Sequence, residues 1–223
     1  VLWQGVFPHP GVGCPVRCDG AVAAGREARP PRAAGRLRRG SLLIAAKNRE
    51  GAKADLDALD HVLASEAQMR LAMSRLYVEI EQYAQALVQL NDWLSAHPHE
   101  VKRDAALNSR CWTRLLLGIE LDQALDDCNE AIDGDSKNPA YFDSRGWVYL
   151  RLGTYEKALS DFNRSIEYRP QNAWSYYGRG LTETRLGDVA RGEADLAAAR
   201  KLQPDIDLKV ERAKLMAKPA PRP

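Results

Sequence analysis

The sequence lacks any uninterrupted apolar run near the roughly 18 residues that a membrane-spanning helix needs. Its first residues, VLWQGVFPHPGVGC, lack the basic head and clean apolar stretch of a secretion signal, which favours a cytoplasmic location. Four cysteines are too few for a disulfide scaffold in a chain of 223 residues. We therefore expect a chain without a membrane span that is stabilised by an apolar core.

Motifs for catalysis and for cofactor binding are also missing. There is no glycine-rich phosphate loop, nucleophile elbow or HExxH sequence. His9, Cys14 and Cys18 lie in a Pro/Gly-rich stretch without the spacing of a metal site, and the acids around Asp126-Asp127 follow the spacing of a solvated helix face. We predict no catalytic residue, cofactor, metal ligand or small-molecule substrate, and the chain is not expected to be an enzyme.

The net charge of +2 conceals an uneven distribution. Residues 1–40 carry a net charge of +5 and residues 209–223 a net charge of +4, whereas residues 41–208 carry −7. An acidic body cannot displace the counterions of a nucleic acid as a basic surface does. Nucleic acid is therefore not expected as a partner of the body, although an adaptor that uses the Arg-rich arm 17–39 is a rival hypothesis.

What the sequence does contain is a repeat. Small residues recur at intervals of 34, 38, 34 and 34 residues, at Ala52, Ala86, Ala124, Ala158 and Gly192. Twelve residues before each of these stand Gly40, Ser74, Trp112, Gly146 and Gly180, among which Trp112 alone is large. Proline ends a helix because it lacks an N–H group and clashes with the preceding turn, and it follows three of the units. The pattern predicts five units of two helices each.

The small residues predict where the two helices of a unit touch. Glycine inside a helix costs roughly 1 kcal/mol relative to alanine, so its recurrence indicates a contact that a larger side chain would prevent. We expect Gly146 and Ala158 to form such a contact in the fourth unit. Cys111 and Cys128 lie one on each helix of the third unit, and antiparallel helices could bring them close together. We expect them to be buried free thiols, and the alternative, a disulfide, would require an oxidising compartment.

These motifs resemble the tetratricopeptide repeat, a helix–turn–helix unit of 34 residues. The fourth unit carries the match at Phe142, Gly146, Tyr149, Tyr155, Ala158, Phe162 and Pro170. The resemblance implies an all-α, right-handed α-solenoid of antiparallel helix pairs. The organisation we predict is a disordered Pro/Gly/Arg-rich extension at 1–32, a weak first repeat at 33–66, the repeat array at 67–205, a capping helix at 206–217 with Asp205 as its N-cap, and a disordered tail at 218–223.

The resemblance also implies that the first helices of the units line a concave groove. A second stripe on the first helices of units four and five predicts the residues that bind a protein or peptide there: Asp143, Trp147, Arg151, Trp174, Tyr177, Leu181 and Arg185. The alternative for Trp147 is that it packs between these two units. The Lys and Asn pairs with which some family members hold a terminal carboxylate are missing from the corresponding positions.

The function predicted from these observations is that of a non-catalytic scaffold or adaptor. Because the sequence does not begin with Met, the alternative is that it forms the accessory repeat region of a larger enzyme whose catalytic domain lies upstream. Neither the identity of the partner nor the oligomeric state follows from the sequence.

Overall fold

The structure, a computed structural model, describes residues 30–215. Within that range it contains eleven helices and no strand. Consecutive helices pair into hairpins, from α1 with α2 to α9 with α10, and the second helix of each hairpin packs against the first helix of the next. This arrangement confirms the predicted all-α solenoid. The helices are α1 Pro30–Ala45, α2 Arg49–Asp60, α3 Arg70–Glu79, α4 Tyr83–Ala96, α5 Arg103–Leu117, α6 Leu121–Gly134, α7 Pro139–Leu152, α8 Tyr155–Tyr168, α9 Ala173–Leu186, α10 Val189–Leu202 and α11 Ile206–Arg212.

The ends of the chain are described only in part. Most of the predicted extension 1–32, including His9, Cys14 and Cys18, and all of the predicted tail 218–223 lie outside the described residues. The helix α1 begins at Pro30, slightly before the predicted start of the first repeat. None of the helices in the described range has the length and apolar character needed to cross a membrane.

A residue with left-handed backbone follows the first helix of every hairpin. Glycine adopts this conformation without steric cost, and it does so at Gly118, Gly153 and Gly187. In the first two hairpins the same role falls to Lys47, with φ of 60°, and to Glu81, with φ of 63°. The turns of the first two hairpins therefore carry a strain that the turns of the fourth and fifth hairpins avoid, whereas the third turn combines Gly118 with a left-handed Glu120, with φ of 49°.

The first helix of the third unit is shifted by one residue from the predicted register. Arg145 and Arg179 each bind the aspartate 16 positions later, whereas Arg110 binds Asp127, which is 17 positions later. The turn between α5 and α6 thus holds one additional residue. Counted from these pairs, the counterpart of Gly146 in the third unit is Cys111, and the assignment of Trp112 to the small position is wrong.

The small residues make room mainly for an aromatic ring. A Cβ atom on Gly146 would lie 2.9 Å from the ring of Phe162, and Gly178 of the next hairpin also contacts this ring. The three atoms nearest to this Cβ all belong to Phe162, and the expected contact of Gly146 with Ala158 stays a prediction. Close backbone approach is seen at the equivalent pair of the fifth unit, where a Cβ on Gly180 would lie 2.7 Å from the carbonyl oxygen of Gly192.

In the third unit a disulfide takes the place of the contact between glycine and the ring. Cys111 and Cys128, both fully buried, are joined between α5 and α6, and their Cα atoms lie 5.7 Å apart. This distance is within the usual range for a disulfide. The expectation of two free thiols is thus wrong, because the longer turn rotates Cys111 into the position that faces Cys128.

Arginines on the first helices join neighbouring hairpins. The guanidinium of Arg145 donates to both carboxylate oxygens of Asp161 on α8, at 2.7 and 2.8 Å, and to Asn129 on the preceding α6, at 2.8 Å. Arg110 and Arg179 each bind an aspartate and a preceding asparagine in the same way. Each arginine therefore connects three helices, and together these inter-hairpin arginine bridges span units two to five.

The helix α11 lies at the C-terminal end, within the segment predicted to cap the array. Ile206 and Val210 are buried there, and α11 packs against α9 and α10. Asp205 occupies the N-cap position of α11 as predicted, but its side chain makes no capping hydrogen bond. It accepts hydrogen bonds from Lys209 and Gln203 instead.

Candidate partner-binding surface

The first helices of the hairpins lie side by side in two groups, α1 with α3 and α5 with α7 and α9, and α4 connects the two groups. Contacts join α1 to α3, α5 to α7, and α7 to α9. We call the surface formed by α1, α3, α5, α7 and α9 the first-helix face. Because side chains four residues apart share one side of a helix, Asp143, Trp147 and Arg151 form one row on α7, and Tyr177, Leu181 and Arg185 form the next row on α9.

Tryptophans from three first helices meet beneath this face. The Trp174 ring lies edge-on to Trp147, with centroids 6.2 Å apart, and to Trp112, with centroids 5.8 Å apart. Trp147 is only 1% exposed and also packs edge-on against Phe162. The structure thus shows the alternative, packing between units, for Trp147. Trp112 and Trp174 remain partly exposed. The sequence analysis did not include Trp112 among the partner-binding residues, because it assigned this residue to the small position between the two helices of the third unit.

Asp143 is half-buried and is held by the next hairpin. Its carboxylate accepts a hydrogen bond of 2.5 Å from the Ser175 hydroxyl, which in turn accepts one from Asn172. Burial raises the pKa of Asp143 to about 7, and this effect exceeds the opposing influence of the Ser175 hydrogen bond and of the positive charge of Arg169. This carboxyl group therefore changes its charge near neutral pH.

Arg151 connects α7 to the end of α5. One Nη donates to the carbonyl oxygen of Leu115 at 2.6 Å, where the negative end of the helix dipole favours a cation. Burial lowers the pKa of Arg151, and no carboxylate among residues 30–215 pairs with it. A Cβ on Gly118 would collide with this guanidinium, so the glycine also makes room for it.

The row on α9 lies partly beneath the C-terminal end of the chain. The Tyr177 hydroxyl donates to Asp207 on α11 at 3.0 Å, and Arg200 holds the same carboxylate through two hydrogen bonds. Leu181 is partly buried in the core cluster that also contains Ile206 and Val210. Arg185 is exposed and is the most accessible of the seven predicted partner-binding residues.

A cleft of about 430 Å³ opens at the other end of the first-helix face, between α1 and α3. We call it the α1–α3 cleft. The residue pattern did not indicate this cleft, because the first repeat is weak and its apolar residues are typical of an ordinary core. No group of His, Cys, Asp and Glu side chains suited to a metal ion occurs in the part of the chain that the structure describes.

Comparison with known proteins agrees with this architecture. A family model described as TPR repeat matches residues 146–187. Curated protein sequences give no significant match. Among solved structures, YrrB, described as a TPR protein with an unusual peptide-binding site, is 21% identical, with 82% of this chain and 92% of YrrB covered and a TM-score of 0.55.

Two structures of MamA are also similar. One is 16% identical, covers 86% of this chain and 98% of MamA, and has a TM-score of 0.59. The other, MamA from residue 41 to its end from Desulfovibrio magneticus RS-1, is 13% identical, covers 79% of this chain and 97% of that one, and has a TM-score of 0.61. At these identities the likeness to solved structures concerns the fold.

Proposed function

We propose that this chain, an all-α solenoid whose residues 146–187 match the TPR repeat model, is a non-catalytic scaffold that binds a protein or peptide on its first-helix face. The observation that carries the proposal is the side-by-side arrangement of first helices, which presents partly exposed aromatic rings beside charged side chains. Tryptophan, tyrosine and arginine are the residue types enriched in interface hot spots. The peptide-binding site named for YrrB gives the proposal further support.

Among the predicted site residues and the neighbouring Trp112, those with exposed side-chain surface can contact a partner. Trp147 is enclosed, whereas Trp112, Trp174 and Tyr177 each retain an exposed part, and Arg185 is open to solvent. In this proposal the rings supply apolar contact and Arg185 supplies charge, while Trp147 and Asp143 hold the surface in shape. Substitution of Trp147 would therefore disturb the core and would not report on binding.

Site-specific photo-crosslinking tests the proposal. A photoreactive phenylalanine derivative is introduced at Arg185 on the first-helix face or, as a matched control, at Arg164, an exposed arginine on the second helix α8. Both variants are expected to fold and to capture the same partner when an affinity tag is used. Crosslinks are expected from position 185 and not from position 164. Crosslinking from position 164 alone would contradict the proposal.

A further inference from the structure

We propose that the α1–α3 cleft binds an acidic peptide segment that also carries apolar side chains. This inference rests on the proposed function, since it assigns the chemistry of the partner at one end of the first-helix face. The residues that line the α1–α3 cleft are not among the seven partner-binding residues predicted from the sequence.

The cleft has the size and lining for apolar side chains. Its volume of about 430 Å³ lies within the usual range for ligand sites. Leu37, Met69 and Leu76 line it and are only partly buried. Ala34 and Ala72 are small and exposed, and their short side chains leave the space open. One or two apolar side chains of a partner would cover surface that the chain itself leaves uncovered.

The charges around the cleft favour an acidic occupant. Arg38 and Arg75 are exposed on its lining, and neither pairs with a carboxylate within residues 30–215. Two of the neighbouring arginines are neutralised, since Arg39 binds Asp55 and Arg70 binds Asp60. The single acid in the lining is Glu79. A positive rim above an apolar floor selects a partner with carboxylates beside apolar groups.

The segments 1–29 and 216–223 do not supply such an occupant. Residues 1–29 contain two scattered acids among three arginines, and residues 216–223 contain no acid and two basic residues. Neither segment combines several carboxylates with apolar side chains. With these two segments set aside, we assign the occupant to a partner polypeptide with an acidic and apolar sequence.

Fluorescence anisotropy with three labelled peptides of equal length tests this inference on the intact chain. One alternates Glu or Asp with Leu and Phe, the second replaces its acids with Lys, and the third replaces its apolar residues with Ser. The C-termini are amidated, so that side-chain carboxylates alone are tested. Binding of the first peptide is expected, and it should weaken with salt because the arginines are exposed.

Paired charge reversals locate the binding. The Arg38→Glu plus Arg75→Glu variant should weaken binding by about tenfold or more, because two attractions become repulsions. The control, Arg32→Glu plus Arg36→Glu, makes the same charge change on α1 outside the cleft and should weaken binding by about twofold at most in moderate salt. Unchanged helical circular dichroism and unfolding temperature would show that both variants fold, as the exposure of these side chains predicts.

Several results would overturn the inference. The first is that the Lys-containing peptide binds as tightly as the acidic one, and the second is that both double variants lose the same affinity. The third is that a single-stranded oligouridine binds more tightly than the acidic peptide. The fourth is that the chain self-associates and that the Arg38→Glu plus Arg75→Glu change abolishes this association. None of these results decides the proposed function, which the crosslinking experiment tests separately. Crosslinks at position 185 without binding of the acidic peptide would reject only the cleft assignment.

Discussion

The two ends of the array use the same hairpin but are stabilised differently. In the last three hairpins, arginines bridge each first helix to its own aspartate and to the preceding hairpin, and glycine occupies every turn. In the first hairpin, Arg39 binds Asp55 alone among residues 30–215. In the second, Met73 and Gln89 replace the arginine and the aspartate. Gln89 instead accepts a hydrogen bond from Arg70.

This difference is also visible on the first-helix face. Towards the C-terminus the space between first helices is filled by three tryptophans, whereas α1 and α3 leave an open cleft. A shared repeat period therefore sets the path of the chain, but the side chains at each unit decide whether the face is filled or open. We expect the C-terminal half to be the rigid part and the N-terminal half to be easier to change.

The largest contrast is expected from one change made at equivalent glycines. Gly180→Ala should destabilise the protein by about 2–3 kcal/mol, because the new Cβ would meet backbone that cannot move away easily. At Gly40 the nearest atom to a Cβ would be 3.7 Å away, so Gly40→Ala should be neutral or stabilising by about 0.5–1 kcal/mol through helix propensity. Urea unfolding followed by circular dichroism measures both, and equal losses would contradict the comparison.

The second contrast concerns the arginine bridges. Arg145→Ala leaves the buried carboxylate of Asp161 without its partner and should cost about 2 kcal/mol. Arg39→Ala should cost less, although it also leaves the buried Asp55 without its partner, because the Arg39 side chain is 63% exposed and has no preceding hairpin to hold within residues 30–215. The double variant Arg145→Ala plus Asp161→Ala should lose less than the sum of the single changes. Thermal unfolding of the four variants provides the measurement, and strict additivity would argue against the bridge.

The repeat period, the number of hairpins and the helical class could be predicted because they depend on residues with local effects. Proline and glycine mark helix ends and turns wherever the chain goes, so the hairpins followed from the sequence. The contact of Phe162 with both Gly146 and Gly178 depends on the packing of two hairpins, which spacing alone does not give. The disulfide was missed for a related reason, since one additional turn residue changed which side of α5 faces α6.

The predicted site was harder to derive than the fold. A stripe on one helix does not show what the next hairpin places over it. Ser175 and α11 cover parts of Asp143 and Tyr177, and Trp174 covers part of Trp147. The exposed Arg38 and Arg75 gave no signal because nothing in the sequence shows which arginines have partners.

The third contrast depends on pH and is confined to the C-terminal half. The unfolded chain releases the Asp143 proton near pH 3.8, whereas the folded chain retains it up to about pH 7. The contribution of the protonated carboxyl to stability is thus complete below pH 3.8 and is lost as the pH rises through 7. Asp143→Asn should raise the free energy of unfolding at pH 8 by about 1 kcal/mol. It should also reduce the decline of this free energy between pH 3.8 and pH 7.

Unfolding temperatures of the native chain and of Asp143→Asn across pH 4 to 8 test this expectation, with Asp133→Asn on the exposed face of α6 as the control. Other acids titrate in the same interval, so the difference between the native and variant curves is the relevant quantity. A difference that does not change with pH would refute the assignment.

The smallest effect tests the strained turns of the N-terminal half. Lys47→Gly should stabilise the first hairpin by about 1 kcal/mol, because glycine adopts the left-handed backbone without the steric cost of a Cβ atom. Glu81→Gly should gain less, since Glu81 also pairs with Arg49 at 2.9 Å, although this exposed pair contributes little. Gly153→Ala, the reverse change in the fourth hairpin, should destabilise by a similar amount. Hydrogen exchange of the α1 and α2 amides shows whether the gain in stability lies in the first hairpin. If Lys47→Gly slowed this exchange no more than an exposed substitution elsewhere, turn strain would not explain the difference between the two halves of the array.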